Sequence, residues 1–161
     1  MPRILGIDPG SQATGYGCVE AGRSGLVPVD FGTVRPGASL ELPDRLLVIH
    51  REISRLLTLH RPDLVAVETA FYHKNARSTL VLGHVRGVVI LAARQLDLPV
   101  AEYAPRDIKM AVTGTGDAAK EQVAFMVRGL LRLSETPGAD AADALAVALC
   151  HWNRERVRIP V

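Results

Sequence analysis

The chain has 161 residues, 48% of them apolar, and a formal net charge of +2. That length and apolar content describe a single domain, 1–161, with a real core, and exclude a disordered or low-complexity chain. The mild basic balance neither demands nor excludes nucleic acid, because the distribution of cations matters more than their sum. Cys18 and Cys150 have no C-x-x-C partner. They read as two small buried residues of a reducing compartment rather than a zinc site. Asp8 interrupts the first apolar run, so no secretory pattern is present. The apolar stretch Leu80 to Ala93 contains His84 and Arg86 and is shorter than the ~20 residues of a membrane span. The expectation is a cytoplasmic protein without a membrane partner.

The first predicted element is a strand from about Arg3 to Ile7, closed by the turn signal Asp8-Pro9-Gly10. Thr14 to Glu20 and Val27 to Val34 read as two further strands. The turn cluster Ala21-Gly22-Arg23-Ser24-Gly25 joins them as a hairpin. Pro43-Asp44 opens a helix in which Leu46, Ile49, Ile53, Leu56 and His60 share one face, while Arg45, Arg51 and Arg55 lie off it. Pro62-Asp63 ends that helix and launches a strand that finishes at Glu68. A loop, Thr69 to Asn75, leads to a long helix reaching about Leu96, and Pro99 to Tyr103 forms a fifth strand. Three helices complete the chain: Pro105 to Val112, Ala118 to Leu131 and Asp140 to Trp152. Hairpin strands followed by helix–strand–helix–strand imply an α/β domain. Its sheet is mixed, with three antiparallel strands, then two parallel, and helices on both faces.

Four acidic residues then stand out. Asp8 and Glu68 each close a buried-type strand, Ile4-Leu5-Gly6-Ile7 and Leu64-Val65-Ala66-Val67. Sites in sheets with parallel strands form beyond those carboxyl ends. Asp140 and Asp143, three apart, share a face at the start of the alanine-rich last helix. Each has an ordinary explanation as well. Asp before Pro-Gly is a common turn, a strand end tolerates a solvated Glu, and acids favour a helix N-terminus, with Asp140 as its cap. Together at one sheet edge they are costly. Two carboxylates ~4 Å apart repel by about 4 kcal/mol at an effective dielectric of 20. A divalent ion removes that cost, and hard oxygen donors suit magnesium or manganese.

Three other features bear on function. Gly10-Ser11-Gln12-Ala13-Thr14-Gly15 has phosphate-loop spacing, but Tyr16-Gly17 replaces the required Lys-Ser/Thr. Those glycines read instead as tight backbone beside the acids. Gly83 and Gly87 lie on one face of the long helix. Each costs about 1 kcal/mol there relative to Ala, which signals close backbone approach, either to the sheet or to a second subunit. The loop Phe71-Tyr72-His73-Lys74-Asn75 with Arg77 sets aromatics beside cations, as suits unpaired nucleic acid; a Phe folded onto the core is the plainer alternative.

The match to a known family rests on several segments. Gly6-Ile7-Asp8-Pro9-Gly10-Ser11 with Thr14-Gly15-Tyr16-Gly17 resembles the opening of the bacterial RuvC Holliday-junction resolvases. So do Glu68 with Phe71, Lys74-Asn75-Ala76, Gly83 and Arg86-Gly87, Lys120 with Gln122-Val123, and the run Ala139 to Ala146. The resemblance spans nearly the whole chain. It implies a ribonuclease H-like fold and a homodimer that cuts opposed strands of a four-way DNA junction with Mg2+ or Mn2+, two ions per site. It also implies a RuvA/RuvB-type branch-migration complex as partner. Asp8, Glu68, Asp140 and Asp143 stand at the family's catalytic acids, Phe71 at its junction-contacting aromatic, and Lys109 and Lys120 at its basic DNA positions. Tyr72, Lys74 and Arg77 are further candidates for DNA contact. Tyr72-His73 and Asp117 differ from the family's usual pattern. Two other readings fit parts of the chain. Actin-like sugar kinases open with a similar turn but need a second half that 161 residues do not supply. A non-cleaving junction-binding module of the same fold is separated from the enzyme by metal-dependent nicking.

Overall fold

The computed structural model describes residues 2–69 and 75–158, with side chains through 156. Its elements are β1 (Arg3–Asp8), β2 (Thr14–Gly22), β3 (Gly25–Val34), α1 (Leu42–His60), β4 (Leu64–Glu68), α2 (Ala76–Gln95), β5 (Val100–Tyr103), α3 (Pro105–Thr113), α4 (Lys120–Leu130) and α5 (Ala139–Arg158). The strands form one five-stranded sheet in the order β3-β2-β1-β4-β5. β1 pairs antiparallel with β2, and β2 with β3, while β4 runs parallel to both β1 and β5. This is the mixed sheet expected from the sequence.

The central strands are buried on both faces, which is why β1 and β4 read as continuous apolar runs rather than alternating ones. Side-chain direction alternates along each strand. Leu5, Ile7, Val65 and Val67 face one core layer with Ile49, Ile53, Leu56 and Leu57 of α1 and Val85, Val89, Ala92 and Ala93 of α2. Ile4 and Ala66 face the other, built from α3, α4 and α5 around Ile108, Val112, Val123, Val127 and Leu145. α1 starts at Leu42 with Pro43 and Asp44 in its first turn and ends where Arg61 turns left-handed at φ 46° before Pro62. Its last residue, the buried His60, meets Asp30 of β3 through Nε2 at 2.9 Å. α2 is capped by Asn75, whose side chain accepts from the Arg77 N–H at 2.9 Å.

Several boundaries differ from the sequence reading. α4 starts at Lys120 rather than Ala118, and α5 continues to Arg158 rather than Trp152. α5 also begins at Ala139, so Asp140 lies inside its first turn and is not its cap. Gly138 precedes the helix and already accepts from the Ala142 N–H at 2.8 Å. α2 is longer than its apolar stretch, because Ala76 to Thr79 extend it at the front. At 20 residues it is long and apolar enough, by length and composition alone, to cross a membrane. Here four of its residues are buried against α1 and the sheet, while Leu80 and Leu91 are 67% and 53% exposed.

Glycine decides how closely α5 lies on the sheet. A Cβ at Gly6 would stand 2.1 Å from the Ala144 carbonyl oxygen, and one at Gly15 would stand 2.0 Å from that of Asp140. Neither distance is possible, so α5 rests directly on the backbone of β1 and β2. Gly83 and Gly87 behave differently: nothing lies within 4 Å of a Cβ built at either. Of the two close approaches that would call for glycine here, the one to this chain's own sheet is absent among the described residues.

Candidate active site

Asp8 and Glu68 lie one step beyond the paired residues Ile7 and Val67 of the parallel β1–β4 ladder. By strand alternation both side chains point to the face that carries Gly6 and Ala66, the face on which α5 rests. The end of β4 is held by Thr69, whose N–H and hydroxyl both donate to the Tyr103 carbonyl, at 2.8 and 3.1 Å. α5 starts over this edge because Gly15 admits the Asp140 backbone, and the start of its second turn delivers Asp143 to the same place.

The result is a pocket of about 190 Å³ lined by Asp8, Glu68 and Asp143, with Lys109 and Lys120 on its wall and Pro105, Ile108, Val123 and Ala146 closing it. Its electrostatics are lopsided. Burial, then a hydrogen bond with Glu68 and its charge, then the charge of Asp143, push the Asp8 carboxyl up to about 9, against the pull of Lys120. Burial also raises the Asp143 carboxyl above the ordinary range, opposed by Lys120. Lys120 is raised in turn, chiefly by Asp143, whose Oδ2 its Nζ meets at 3.5 Å. Three carboxyl groups face two ammonium groups in this pocket, and a carboxyl pushed up this far would ionise readily beside a bound cation.

The predicted acids are therefore not equivalent. Asp8, Glu68 and Asp143 are brought together, whereas Asp140 is absent from the pocket wall and pairs with Arg35, its Oδ2 lying 3.5 Å from the Arg35 Nη2. Among the described residues, no three His, Cys, Asp or Glu side chains already stand as a finished metal site. The donor chemistry nevertheless fits hard divalent ions, since the carboxyl oxygens of Asp8, Glu68 and Asp143 converge on one pocket. Of the predicted DNA contacts, Lys109 and Lys120 line the pocket. Arg77 lies in a separate groove with Ser11, Gln12 and Arg45, between α1 and α2. Phe71, Tyr72 and Lys74 lie outside the described residues. Sequence reasoning missed Arg35, although a signal existed. β3 runs in the direction of β1, so the residue after Val34 had to emerge at the edge that carries Asp8.

Comparison with known proteins identifies the family and the fold. The family model described as crossover junction endodeoxyribonuclease RuvC matches residues 4–151. The RuvC of Alkalilimnicola ehrlichii is 54% identical over 154 residues, covering 96% of this chain and 93% of its own. That of Proteus mirabilis is 49% identical over 161 residues, covering 99% and 92%. Among solved structures, Thermus thermophilus RuvC in complex with Holliday junction substrate superposes with a TM-score of 0.91 at 36% identity, covering 98% of this chain and 97% of that one. The yeast mitochondrial resolvase Ydc2, at 12% identity and a TM-score of 0.69, shares the fold. The sheet is thus the ribonuclease H-like one that the sequence resemblance implied, and the chain belongs to the crossover junction endodeoxyribonuclease RuvC family.

Proposed function

We propose that this chain is a divalent-metal-dependent endonuclease that resolves four-way DNA junctions by paired phosphodiester hydrolysis in recombination and repair. The observation that carries this reading is the pocket at the carboxyl ends of β1 and β4. It gathers Asp8, Glu68 and Asp143 beside two lysines, in a chain whose fold matches a relative solved with a Holliday junction. Asp8, Glu68 and Asp143, joined by Asp140, would hold Mg2+ or Mn2+, two ions per site. Such ions supply Lewis-acid stabilisation to the phosphodiester and to the attacking water.

The protein's own groups do the rest. Asp8, rigid at the end of a central strand, fixes the position around which the other acids gather. Lys120 holds Asp143 against the pocket and offsets part of its charge, and Lys109 offers the opposite wall a cation for phosphate. The apolar residues Ile108, Val123 and Ala146 limit water around the acids, which strengthens every charge interaction there. Phe71 is assigned to the opened bases of the crossover, and Tyr72, Lys74 and Arg77 to further DNA contacts there.

A four-way junction is nearly two-fold symmetric, so a two-fold dimer presents two equivalent sites to equivalent strands. The exposed face of α2 suits self-association. Gly83 and Gly87 leave open space there, beside Leu80 and Leu91, and nothing among the described residues requires glycine at either. We assign the protein to the cytoplasm, consistent with two buried, unpaired thiols, and to work beside a RuvA/RuvB-type branch-migration complex.

The test is cleavage of a synthetic four-way junction. Chelator should leave binding intact and abolish cutting, and magnesium or manganese should restore it. Cutting in chelator would refute the mechanism. Binding without cutting in either metal would favour a non-cleaving junction module.

A further inference from the structure

Asp140 differs from the other three acids through its neighbour. Arg35 follows the last residue of β3, and its Nη2 lies 3.5 Å from Asp140 Oδ2, with the two side chains 69% and 35% exposed. On the other side of the helix start, Lys120 meets Asp143 at the same distance. Asp140 and Asp143 thus each have their own cation, supplied by different parts of the chain. The two pairs are not alike. Lys120 lines the pocket, and its charge acts on Asp8 as well. Arg35 lies off the pocket wall, and so does the carboxylate it holds.

We propose that Arg35 is a positioning residue that keeps Asp140 off the carboxylate pocket until a DNA phosphate takes over its guanidinium. Junction binding and metal binding then reinforce one another. The proposal rests on the nuclease reading above and adds to it a coupling between its two ligands. The exchange is physically cheap. An exposed pair of this kind is weak, so it breaks readily. A guanidinium fits a phosphate in two parallel hydrogen bonds, which a single 3.5 Å contact to a carboxylate does not match. The freed carboxylate stands three residues from Asp143 on the same helix face, where it adds one more oxygen donor to the pocket. Because coupling is reciprocal, metal must tighten junction binding by the same factor as junction tightens metal.

Calcium is the probe, titrated by calorimetry into the free protein and into the protein with an immobile junction. Arg35→Gln should bind calcium about threefold more tightly than wild type in the free state, the exposed pair no longer competing. The further gain on adding junction should be smaller than in wild type by about the same factor. Phosphate oxygens attract the ion in every variant, so the difference between variants isolates Arg35. In chelator, the Arg35→Gln junction affinity should lose about 0.9 of its salt slope. Arg35→Lys should resemble wild type in free-state calcium affinity and in slope. Unchanged calcium affinity in Arg35→Gln, or an Arg35→Lys that behaves as Arg35→Gln, would overturn the proposal while leaving the nuclease reading intact. Wild-type protein that binds no divalent ion even with junction present would overturn both.

Discussion

Replacing Asp8 by Asn should stabilise the metal-free protein while abolishing cleavage. The Asp8 carboxyl ordinarily ionises near 3.8 and is pushed up to about 9 in the fold by burial, Glu68 and Asp143. Between those values the folded state binds more protons than the unfolded one, so stability is lost as pH rises. The loss is about 1.4 kcal/mol per pH unit, or roughly 4 kcal/mol between pH 3.8 and pH 7. Asp8 is only partly buried, and solvent screening reduces this to about 2 kcal/mol. For a chain of this size that is a rise in Tm of roughly 4–8 °C for Asp8→Asn at pH 7 in chelator. The gap should vanish near pH 4 and widen toward pH 8. Asp143 is raised in both proteins and largely cancels, and Lys120 titrates above this window. Added magnesium should close the gap by favouring the wild type, a bound ion at a hundredfold its Kd being worth about 2.7 kcal/mol. Thermal unfolding at pH 4 to 8, with chelator or magnesium, provides the measurement. An Asn variant that is no more stable at pH 8, or a gap that ignores pH, would refute the claim that Asp8 awaits a cation.

Other variants probe the scaffold and the DNA surface. Gly15→Ala forces a methyl into the Asp140 carbonyl, so urea unfolding should show a loss of about 1–3 kcal/mol and cleavage should fall with it. Gly129→Ala on α4 meets nothing within 4 Å and should instead gain up to about 1 kcal/mol. Gly87→Glu on the open face of α2 should sediment as a monomer and lose paired cuts; a wild type that is monomeric at micromolar concentration would contradict the dimer. Lys109→Ala and Lys120→Ala should each reduce the salt slope of junction binding by about 0.9. Phe71→Ala should leave that slope unchanged yet weaken resolution by roughly the 1–3 kcal/mol of one stacked base, less on pre-opened junctions.

Much of this was legible in the chain, for definite reasons. Strands buried on both faces print continuous apolar runs, so β1 and β4 and the acids at their ends could be located. Pro43, Pro62 and the hairpin glycines marked boundaries by removing donors or permitting turns. What escaped was depth and reach. Gly6, Gly15 and Ala66 were visible, but only the packing shows that they are small so that an alanine-rich helix can touch the sheet. Asp140 and Asp143 look identical in sequence, three apart on one face. Their different fates depend on Arg35 and Lys120, more than 100 and 20 residues distant along the chain, and side-chain pairing at such separations leaves no local pattern. The α2 glycines were read as a close approach, yet one chain gives no hint whether the partner surface is its own.

The acids of the pocket are also widely spaced along the chain, at positions 8, 68 and 143, and this governs when the site exists. β1 can pair with β2 across a short turn, but its pairing with β4 joins residues about sixty apart, and α5 must arrive before the pocket has its third carboxylate. Such long-range closures form late, because loop entropy has to be overcome before the contacts repay it. A nascent or partly folded molecule therefore carries Asp8 without a finished pocket. The three-carboxylate pocket is completed only when folding is nearly complete, so that chain folding itself times the assembly of the site.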